Sequence, residues 1–175
     1  MRYRRVFIPG AAYFFTVVTA QRYPWFANPD HVELLRSAFR AVRVKYPFTI
    51  EAMVVLPDHL HCIWTLPPGD ADFATRWRLI KSWFSKRVPV APTDVREGQR
   101  QRRVWQNRYW EHWLRDENDF RAHVEYIHFN PVKHGLAVSA GAWPYSSFGR
   151  YVAAGLYPAD WGQSALPDLS GIGSE

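Results

Sequence analysis

The pattern of apolar and polar positions divides the chain into short strands and amphipathic helices. Aromatic and β-branched residues predict strands over residues 13–20, 49–56, 59–66 and 104–114. Apolar positions at helical spacing predict one helix from Asp30, where Glu33 completes a capping box, and a second helix from about Asp72. The resulting order βαββαβ predicts an α+β fold, a ferredoxin-like antiparallel sheet with both helices on one face.

A further helix is predicted after the fourth strand. Asp116 is its expected N-cap. Its core-facing stripe consists of Phe120, Val124 and Ile127. Pro131 disfavours a helical conformation at the residue before it, so we expect the helix to end near Asn130. Tyr126 and Asn130 then lie one turn apart, beside the stripe, on a helix expected near the second face of the sheet. Spacing alone favours structural roles for both residues.

Two histidines share one face of the third predicted strand. His59 and His61 alternate with Leu60 and Cys62, so both imidazoles point to the same side, about 7 Å apart along the strand. Such a pair can chelate a divalent cation if a third group approaches from elsewhere, and the segment around Asn130 can supply one. Without that third group, two histidines on a solvated sheet face are the commoner case.

Six segments resemble a known family. They are RRVFIPG (4–10), YFFTVVT (13–19), VLPDHLH (55–61), VWQNRYWEH (104–112), YIHFNPVKHGL (126–136) and WPYSSF (143–148). In this order they resemble the single-tyrosine members of the His-hydrophobic-His nucleases, and within them the REP-associated tyrosine transposases, over about residues 4–151. The chain departs from the family pattern at Asp58, where Asn is common. A carboxylate there either strengthens cation binding or caps the turn.

The resemblance implies a metal-dependent endonuclease and strand transferase that acts on single-stranded DNA. Tyr126 would be the nucleophile and would form a 5′-phosphotyrosine intermediate with release of a 3′-hydroxyl. Mg²⁺ or Mn²⁺ would be held by His59, His61 and Asn130. The implied substrate is a palindromic hairpin with a single-stranded guide tetranucleotide, as in repetitive extragenic elements of bacterial genomes. A monomer or homodimer in the bacterial cytoplasm, associated with the nucleoid, is expected.

The charge balance also favours a polyanionic partner. The chain has 22 Lys and Arg against 16 Asp and Glu, a net charge of +6, and its pI is about 9.7. Aromatic residues make up 17% of the chain, and their rings can stack on unpaired bases or simply fill the core. The basic run on the second helix, which includes Arg76, can be a solvated face, although phosphate contact is favoured. The expected nucleic-acid contacts are Arg4, Arg5, Arg78, Lys81, Arg100, Arg102, Arg103 and Lys133.

The length of 175 residues predicts one domain, over residues 1–151, followed by a tail over residues 152–175. Cys62 is the single cysteine, so no intrachain disulfide is expected and a reducing compartment is indicated. No apolar run reaches the roughly eighteen residues of a membrane span. The tail carries a charge of −3 and either covers a basic cleft or forms a poorly ordered end.

Two other functions stay open at this point. A ferredoxin-like sheet with aromatic strands and a basic loop is also typical of a non-catalytic module that binds RNA or single-stranded DNA. In a second alternative the protein is a metal-dependent nuclease that uses water as the nucleophile, and Tyr126 is structural.

Overall fold

A computed structural model describes residues 6–89, 104–163 and 172. Its four antiparallel strands are β1 (Ala12–Val18), β2 (Thr49–Val55), β3 (His59–Thr65) and β4 (Trp110–Trp113), in the sheet order β2-β3-β1-β4. The central pairing sets Thr16 opposite His61, and the pairing of β1 with β4 sets Phe14 opposite His112. This order confirms the predicted ferredoxin-like sheet.

Helices cover both faces of the sheet. α1 (Pro29–Lys45) and α2 (Phe73–Ser85) pack on the face that carries Phe15, Cys62 and Trp64. α3 (Glu117–Lys133) packs on the opposite face, against Phe14 and Ile63, and the short α4 (Phe148–Ala153) follows it. Because side chains alternate along a strand, the face that receives α3 is also the face of His59 and His61. None of the helices in the described ranges is long and apolar enough to cross a membrane.

The start of α1 differs from the prediction. The helix begins at Pro29, and the Asn28 side chain accepts a hydrogen bond of 3.0 Å from the backbone N–H of Asp30. Glu33 does not complete a capping box but pairs with Arg36 one turn later. Proline at the first helical position carries no N–H that would need a partner, so the Asn-Pro pair starts the helix one residue earlier than Asp30.

The end of α3 was also predicted wrongly. Pro131 lies inside the helix, which continues to Lys133 instead of stopping near Asn130. A proline this close to the C-terminal end removes one intrahelical hydrogen bond, so its cost is limited. Gly135, with φ of +66°, takes the left-handed conformation that commonly ends helices, and its N–H donates to the carbonyl of Val132.

The fourth strand is shorter than predicted. Pairing with β1 is confined to Trp110–Trp113, and Trp105 forms only an isolated bridge to Thr19. Val104 and Trp105 are both buried in the core beside α2, although they lie outside the strand that pairs continuously with β1. The polar residues 106–108 then run exposed along the surface before pairing begins.

Candidate active site

The two histidines of β3 lie side by side under α3. Their ring centroids are 5.0 Å apart and the rings are nearly perpendicular, at 83°. The Nδ1 atom of His61 is 2.9 Å from the hydroxyl of Thr16, and the Nδ1 atom of His59 is 2.6 Å from Asp58 Oδ1. Since each Nδ1 is engaged, Nε2 is the ring nitrogen that each histidine offers to a metal ion. The predicted common orientation of His59 and His61 is confirmed, although both are buried rather than on a solvated face.

Asp58 belongs to a hydrogen-bonded turn between β2 and β3. Its second carboxylate oxygen is 3.2 Å from Arg22 Nη1, and its backbone carbonyl accepts from both the N–H and the hydroxyl of Thr19. Burial alone would raise the pKa of the Asp58 carboxyl, but the hydrogen bonds from His59 and Arg22 and the charge of Arg22 outweigh it and lower the pKa. An ionised Asp58 therefore fixes the orientation of the His59 ring.

Tyr126 faces the histidines from α3. Its ring centroid is 5.2 Å from that of His61, and its hydroxyl is 3.4 Å from Lys133 Nζ, which also lies 4.9 Å from the centre of the tyrosine ring. Tyr126 and Asn130 are both fully buried, and Tyr126 belongs to the same apolar cluster as Val124 and Ile127 rather than lying beside that stripe as predicted. The ring of His134, at the end of the helix, is 5.4 Å from the ring of His59. The helix and its C-cap therefore bring the rings of Tyr126 and His134 against the two imidazoles, with Asn130 one turn from each of them.

A second group of possible metal ligands lies on the other side of Phe14, whose ring is 5.5 Å from His61 and 4.8 Å from His123. His112 Nε2 is 2.9 Å from one carboxylate oxygen of Asp119, and His123 Nδ1 is 3.1 Å from the other. These three residues could hold a metal ion. However, the rings of His112 and His123 are stacked, with 18° between their planes, so their in-plane lone pairs do not converge on one point. The observed contacts are those of a hydrogen-bonded network.

The His112–Asp119–His123 network was not predicted from the sequence. Asp119 and His123 share a helix face at i, i+4 spacing, which was visible in the sequence, but the approach of His112 depends on the pairing of β4. Burial would raise the pKa of Asp119, but hydrogen bonds from the Arg115 N–H and from His112 lower it. Burial lowers the pKa of His123.

The predicted nucleic-acid contacts are placed unevenly. Arg78 is exposed on α2, on the sheet face opposite the histidines. Lys81 Nζ donates to the carbonyl of Gln106 at 2.7 Å. Arg76 does not belong to an exposed basic face, because its guanidinium is buried and pairs with Asp70 at 2.6 Å. Five of the expected contacts fall outside the described residues: Arg4, Arg5, Arg100, Arg102 and Arg103.

Comparison with known proteins identifies the family. A family model described as "Transposase IS200 like" matches residues 8–130, which is more than half of the chain. The chain belongs to this family. It is 45% identical over 159 residues to the REP-associated tyrosine transposase of Escherichia coli K12, covering 91% of this chain and 89% of that protein. It is 41% identical over 170 residues to a putative REP-associated tyrosine transposase of Haemophilus influenzae, covering 95% of each.

A solved structure supports the same assignment. The structure of a REP-associated tyrosine transposase bound to a REP hairpin matches this member of the IS200-like family with a TM-score of 0.81 and 44% sequence identity, covering 97% of this chain and 93% of the other. The resemblance identified from the sequence and the ferredoxin-like architecture are therefore confirmed. The chain is an enzyme of a transposase family that is generally metal-dependent.

Proposed function

We propose that this transposase nicks and joins single-stranded hairpin DNA by attaching the cleaved strand covalently to Tyr126. The matched structure holds a REP hairpin, and both curated relatives carry the name of REP-associated tyrosine transposases. The observation that carries the catalytic assignment is the position of Tyr126: its ring is 5.2 Å from that of His61, and its hydroxyl is 3.4 Å from Lys133 Nζ.

The residues around Tyr126 fit a divalent cation held by His59, His61 and Asn130. The nearly perpendicular histidine rings allow their lone pairs to converge, unlike the stacked rings of the His112–Asp119–His123 network. Two neutral imidazoles and an amide form a weak site for Mg²⁺ and a better one for Mn²⁺, which accepts nitrogen ligands more readily. When bound, the cation polarises a phosphate oxygen as a Lewis acid.

The groups on α3 carry out the covalent step. The Tyr126 phenol gives up its proton to water, and its oxygen attacks the phosphorus atom. The new O–P bond forms as the bond from phosphorus to the 3′-oxygen breaks, and the 3′-oxygen takes a proton from water and leaves as a hydroxyl. A free phenol has a pKa of about 10, so the nucleophile needs stabilisation of its ionised form. The ammonium group of Lys133 lies beside the phenol and favours the phenolate.

Joining reverses the covalent step. A free 3′-hydroxyl attacks the phosphotyrosine, and the Tyr126 oxygen leaves with the proton. The phosphodiester energy is kept in the protein–DNA bond, so no external energy source is required. We infer that the substrate is a palindromic hairpin with a short single-stranded guide from extragenic repeats, and that the protein works with the nucleoid as a monomer or homodimer.

The decisive experiment is incubation with end-labelled hairpin oligonucleotides and Mn²⁺, followed by a denaturing gel. We expect a nicked strand and a protein-linked DNA band. A non-catalytic binding module would give neither product, and a nuclease that uses water would give nicked DNA without attached protein. Tyr126→Phe should abolish both products while hairpin affinity is retained, because only the nucleophilic oxygen is lost.

A variant series locates the metal. His59→Ala and His61→Ala should suppress cleavage strongly, and Asn130→Ala less so, because an imidazole is a stronger ligand for first-row metals than an amide oxygen. EDTA should reproduce the effect of the histidine variants. His112→Ala is the matched control on the same sheet face. If His112→Ala suppressed Mn²⁺-dependent cleavage while the His59 and His61 variants did not, the cation would belong to the His112–Asp119–His123 network.

A further inference from the structure

A groove runs along the outer edge of β2, between α1 and residues 145–147. We call it the β2-edge groove. It encloses a cavity of about 260 Å³. Residues 145–147 form its outer wall because they pair with β2: the N–H of Val55 donates to the carbonyl of Tyr145, and the N–H of Ser147 donates to the carbonyl of Met53. The outer wall is therefore held to the sheet edge by two backbone hydrogen bonds around the isolated bridge between Val54 and Ser146.

The lining combines an apolar floor with a basic rim. Apolar side chains of α1 and β2 form the floor, among them Phe39 and Met53. Arg36, Arg40 and Arg43 line the side that α1 provides, and no acidic residue occurs among the described lining residues. The three arginines share one helix face because they follow each other at spacings of four and three residues. This surface attracts an anion that also carries an apolar part.

The rim arginines differ in how they are held. Arg43 donates from Nε to the carbonyl of Phe48 at 2.9 Å, which fixes its guanidinium at the base of the rim. Arg36 lies 5.9 Å from the ring centre of Tyr145 and pairs with Glu33, but about half of each of the two side chains is exposed. An exposed ion pair of this kind contributes little, so Arg36 can exchange Glu33 for a phosphate.

The size and composition of the groove favour one unpaired nucleotide. A volume of about 260 Å³ lies below the roughly 300–1,000 Å³ of pockets for drug-sized ligands, so it suits a single ring system. A paired base is not free to enter a cavity, whereas an unpaired base can lie on an apolar floor beside an aromatic ring while arginines bind its phosphates.

The β2-edge groove lies on the α1 side of the sheet, and two contacts at the sheet edge bring its wall close to the elements of the catalytic face. Val55, which lines the groove, is paired with Leu60, the residue between the two histidines. Ser147, on the outer wall, is 2.9 Å from His128 Nε2, and His128 lies two residues after Tyr126 on α3. A strand anchored in the groove can therefore pass around the edge of the sheet towards Tyr126.

We propose that the β2-edge groove binds an unpaired nucleotide of the DNA substrate, with its base on the apolar floor beside Tyr145 and its phosphates on Arg36 and Arg40. This inference rests on the proposed hairpin-processing function and adds a specificity site to it. The groove would read the single-stranded part of the substrate, while the catalytic face acts on the phosphate to be cleaved.

The test compares two labelled hairpins by fluorescence anisotropy, one with a single-stranded extension and one with the stem and loop only. In Arg36→Ala/Arg40→Ala, and in Tyr145→Ala, we expect affinity for the extended hairpin to fall about tenfold, while affinity for the stem-only hairpin changes less than about twofold. An abasic site placed along the extension should locate the bound nucleotide, and its effect should not add to that of Tyr145→Ala.

Lys45→Ala/Arg121→Ala is the matched control, because it removes the same charge from exposed positions outside the groove. The proposal would be overturned if the control and the groove variant lost the same affinity for the extended hairpin. It would also be overturned if the groove variant lost the same affinity for both hairpins, because the arginines would then bind duplex phosphates. If the wild-type protein bound neither hairpin, the proposed function itself would fail. If a groove variant bound the extended hairpin with wild-type affinity and nicked it normally, the groove would not bind the substrate, although the proposed function would still hold.

Discussion

Asp58 joins the His59 imidazole to the guanidinium of Arg22, and so links a proposed metal ligand to the loop after β1. The two contacts measure 2.6 Å and 3.2 Å. Arg22 and its neighbour Gln21 both have positive φ values, +50° and +55°, a conformation uncommon for residues other than glycine. The loop is held in this shape by Thr19, which donates from both its N–H and its hydroxyl to the Asp58 carbonyl. Of the two roles considered for Asp58, this geometry favours support of a metal ligand.

Asp58→Asn should therefore weaken Mn²⁺ binding. An amide can accept a hydrogen bond from His59 Nδ1, so the ring orientation is kept, but the negative charge that makes the imidazole a better ligand is lost. Loss of such an outer partner typically costs about 10- to 100-fold in metal affinity. Titration calorimetry with Mn²⁺ measures the change directly, and Asp30→Asn on α1 is the control. If the Asp58→Asn variant bound Mn²⁺ with wild-type affinity, Asp58 would only cap the turn between β2 and β3.

The histidine pair and the tyrosine helix were predictable residue by residue because their geometry is local. Alternation along a strand fixes the common orientation of His59 and His61, and helical spacing fixes Tyr126 relative to Asn130. The contacts of Thr16 and His112 depend on strand register, which joins residues 45 or more positions apart in the sequence. A local pattern does not determine that register, so the His112–Asp119–His123 network was missed.

At the scale of elements, α3 and α4 meet through a buried neutral histidine. His128 Nε2 is 2.9 Å from the Ser147 hydroxyl, and the ring packs 4.7 Å from Tyr151. Burial lowers the pKa of His128 to about 3, and the charge of Arg150 contributes to the same shift. The unfolded chain takes up a proton at this histidine below about pH 6.5, whereas the folded protein does not. The contribution of His128 to stability is therefore complete above about pH 6.5 and is lost progressively towards about pH 3.

His128→Gln should reduce this pH dependence. Glutamine carries no titrating group, so we expect a lower free energy of unfolding at pH 7 but a smaller further loss between pH 7 and pH 4.5 than in the wild-type protein. Urea denaturation at both pH values measures the difference. Val44→Gln on α1, at an exposed position without a titrating group, is the control and should keep the wild-type slope. If the slope of His128→Gln matched that control, the histidine would not carry the acid sensitivity.

The segment after α4 continues the core. The rings of Tyr157 and Trp161 lie 5.9 Å from that of Phe148, and Trp161 also lies 6.4 Å from Phe129 of α3. A Cβ atom at Gly162 would come within 3.3 Å of the Phe129 ring, which shows how closely this backbone approaches the helix. The packed part of the described chain therefore reaches at least to Gly162.

Deletion of the chain from Val152 onward should therefore reduce stability and nicking together. Trp161→Ala alone should cost about 2–3 kcal/mol of unfolding free energy, below the roughly 3–5 kcal/mol of fully buried aromatic side chains, because Trp161 is only partly buried. Urea denaturation and the nicking assay on both variants provide the test. A truncated protein that stayed folded and cleaved faster would instead support the idea that the acidic tail covers the DNA-binding cleft.

Element boundaries were less predictable than the elements themselves. Each misplaced end has a local cause: Asn28-Pro29 starts α1 before Asp30, and Gly135 rather than Pro131 ends α3. The βαββαβ order could be predicted without these capping details, because apolar periodicity and turn residues are enough to separate the elements along the chain.

At the scale of the whole molecule, the charge is distributed unequally along the chain. Residues 1–150 carry all 22 Lys and Arg and 13 of the 16 Asp and Glu, a net charge of +9, while residues 151–175 carry −3. In the described part of the chain, the arginine rim of the β2-edge groove and Lys133 at the catalytic face place positive charge on both sides of the sheet. A DNA strand that contacts both would displace counterions at both.

Hairpin affinity should therefore fall steeply with salt. The slope of log affinity against log salt concentration measures the number of phosphates neutralised, at about 0.7 to 0.9 per contact. Arg100, Arg102 and Arg103 lie outside the described residues, and their joint replacement by Ala should flatten this slope by about two to three if each contacts a phosphate. Anisotropy titrations between about 50 and 200 mM salt give the slope. The control is Arg115→Ala/Arg121→Ala, which removes charges from α3 and the turn before it. If the slope of the Arg100, Arg102 and Arg103 triple variant equalled the wild-type slope, these three arginines would have no role in DNA binding.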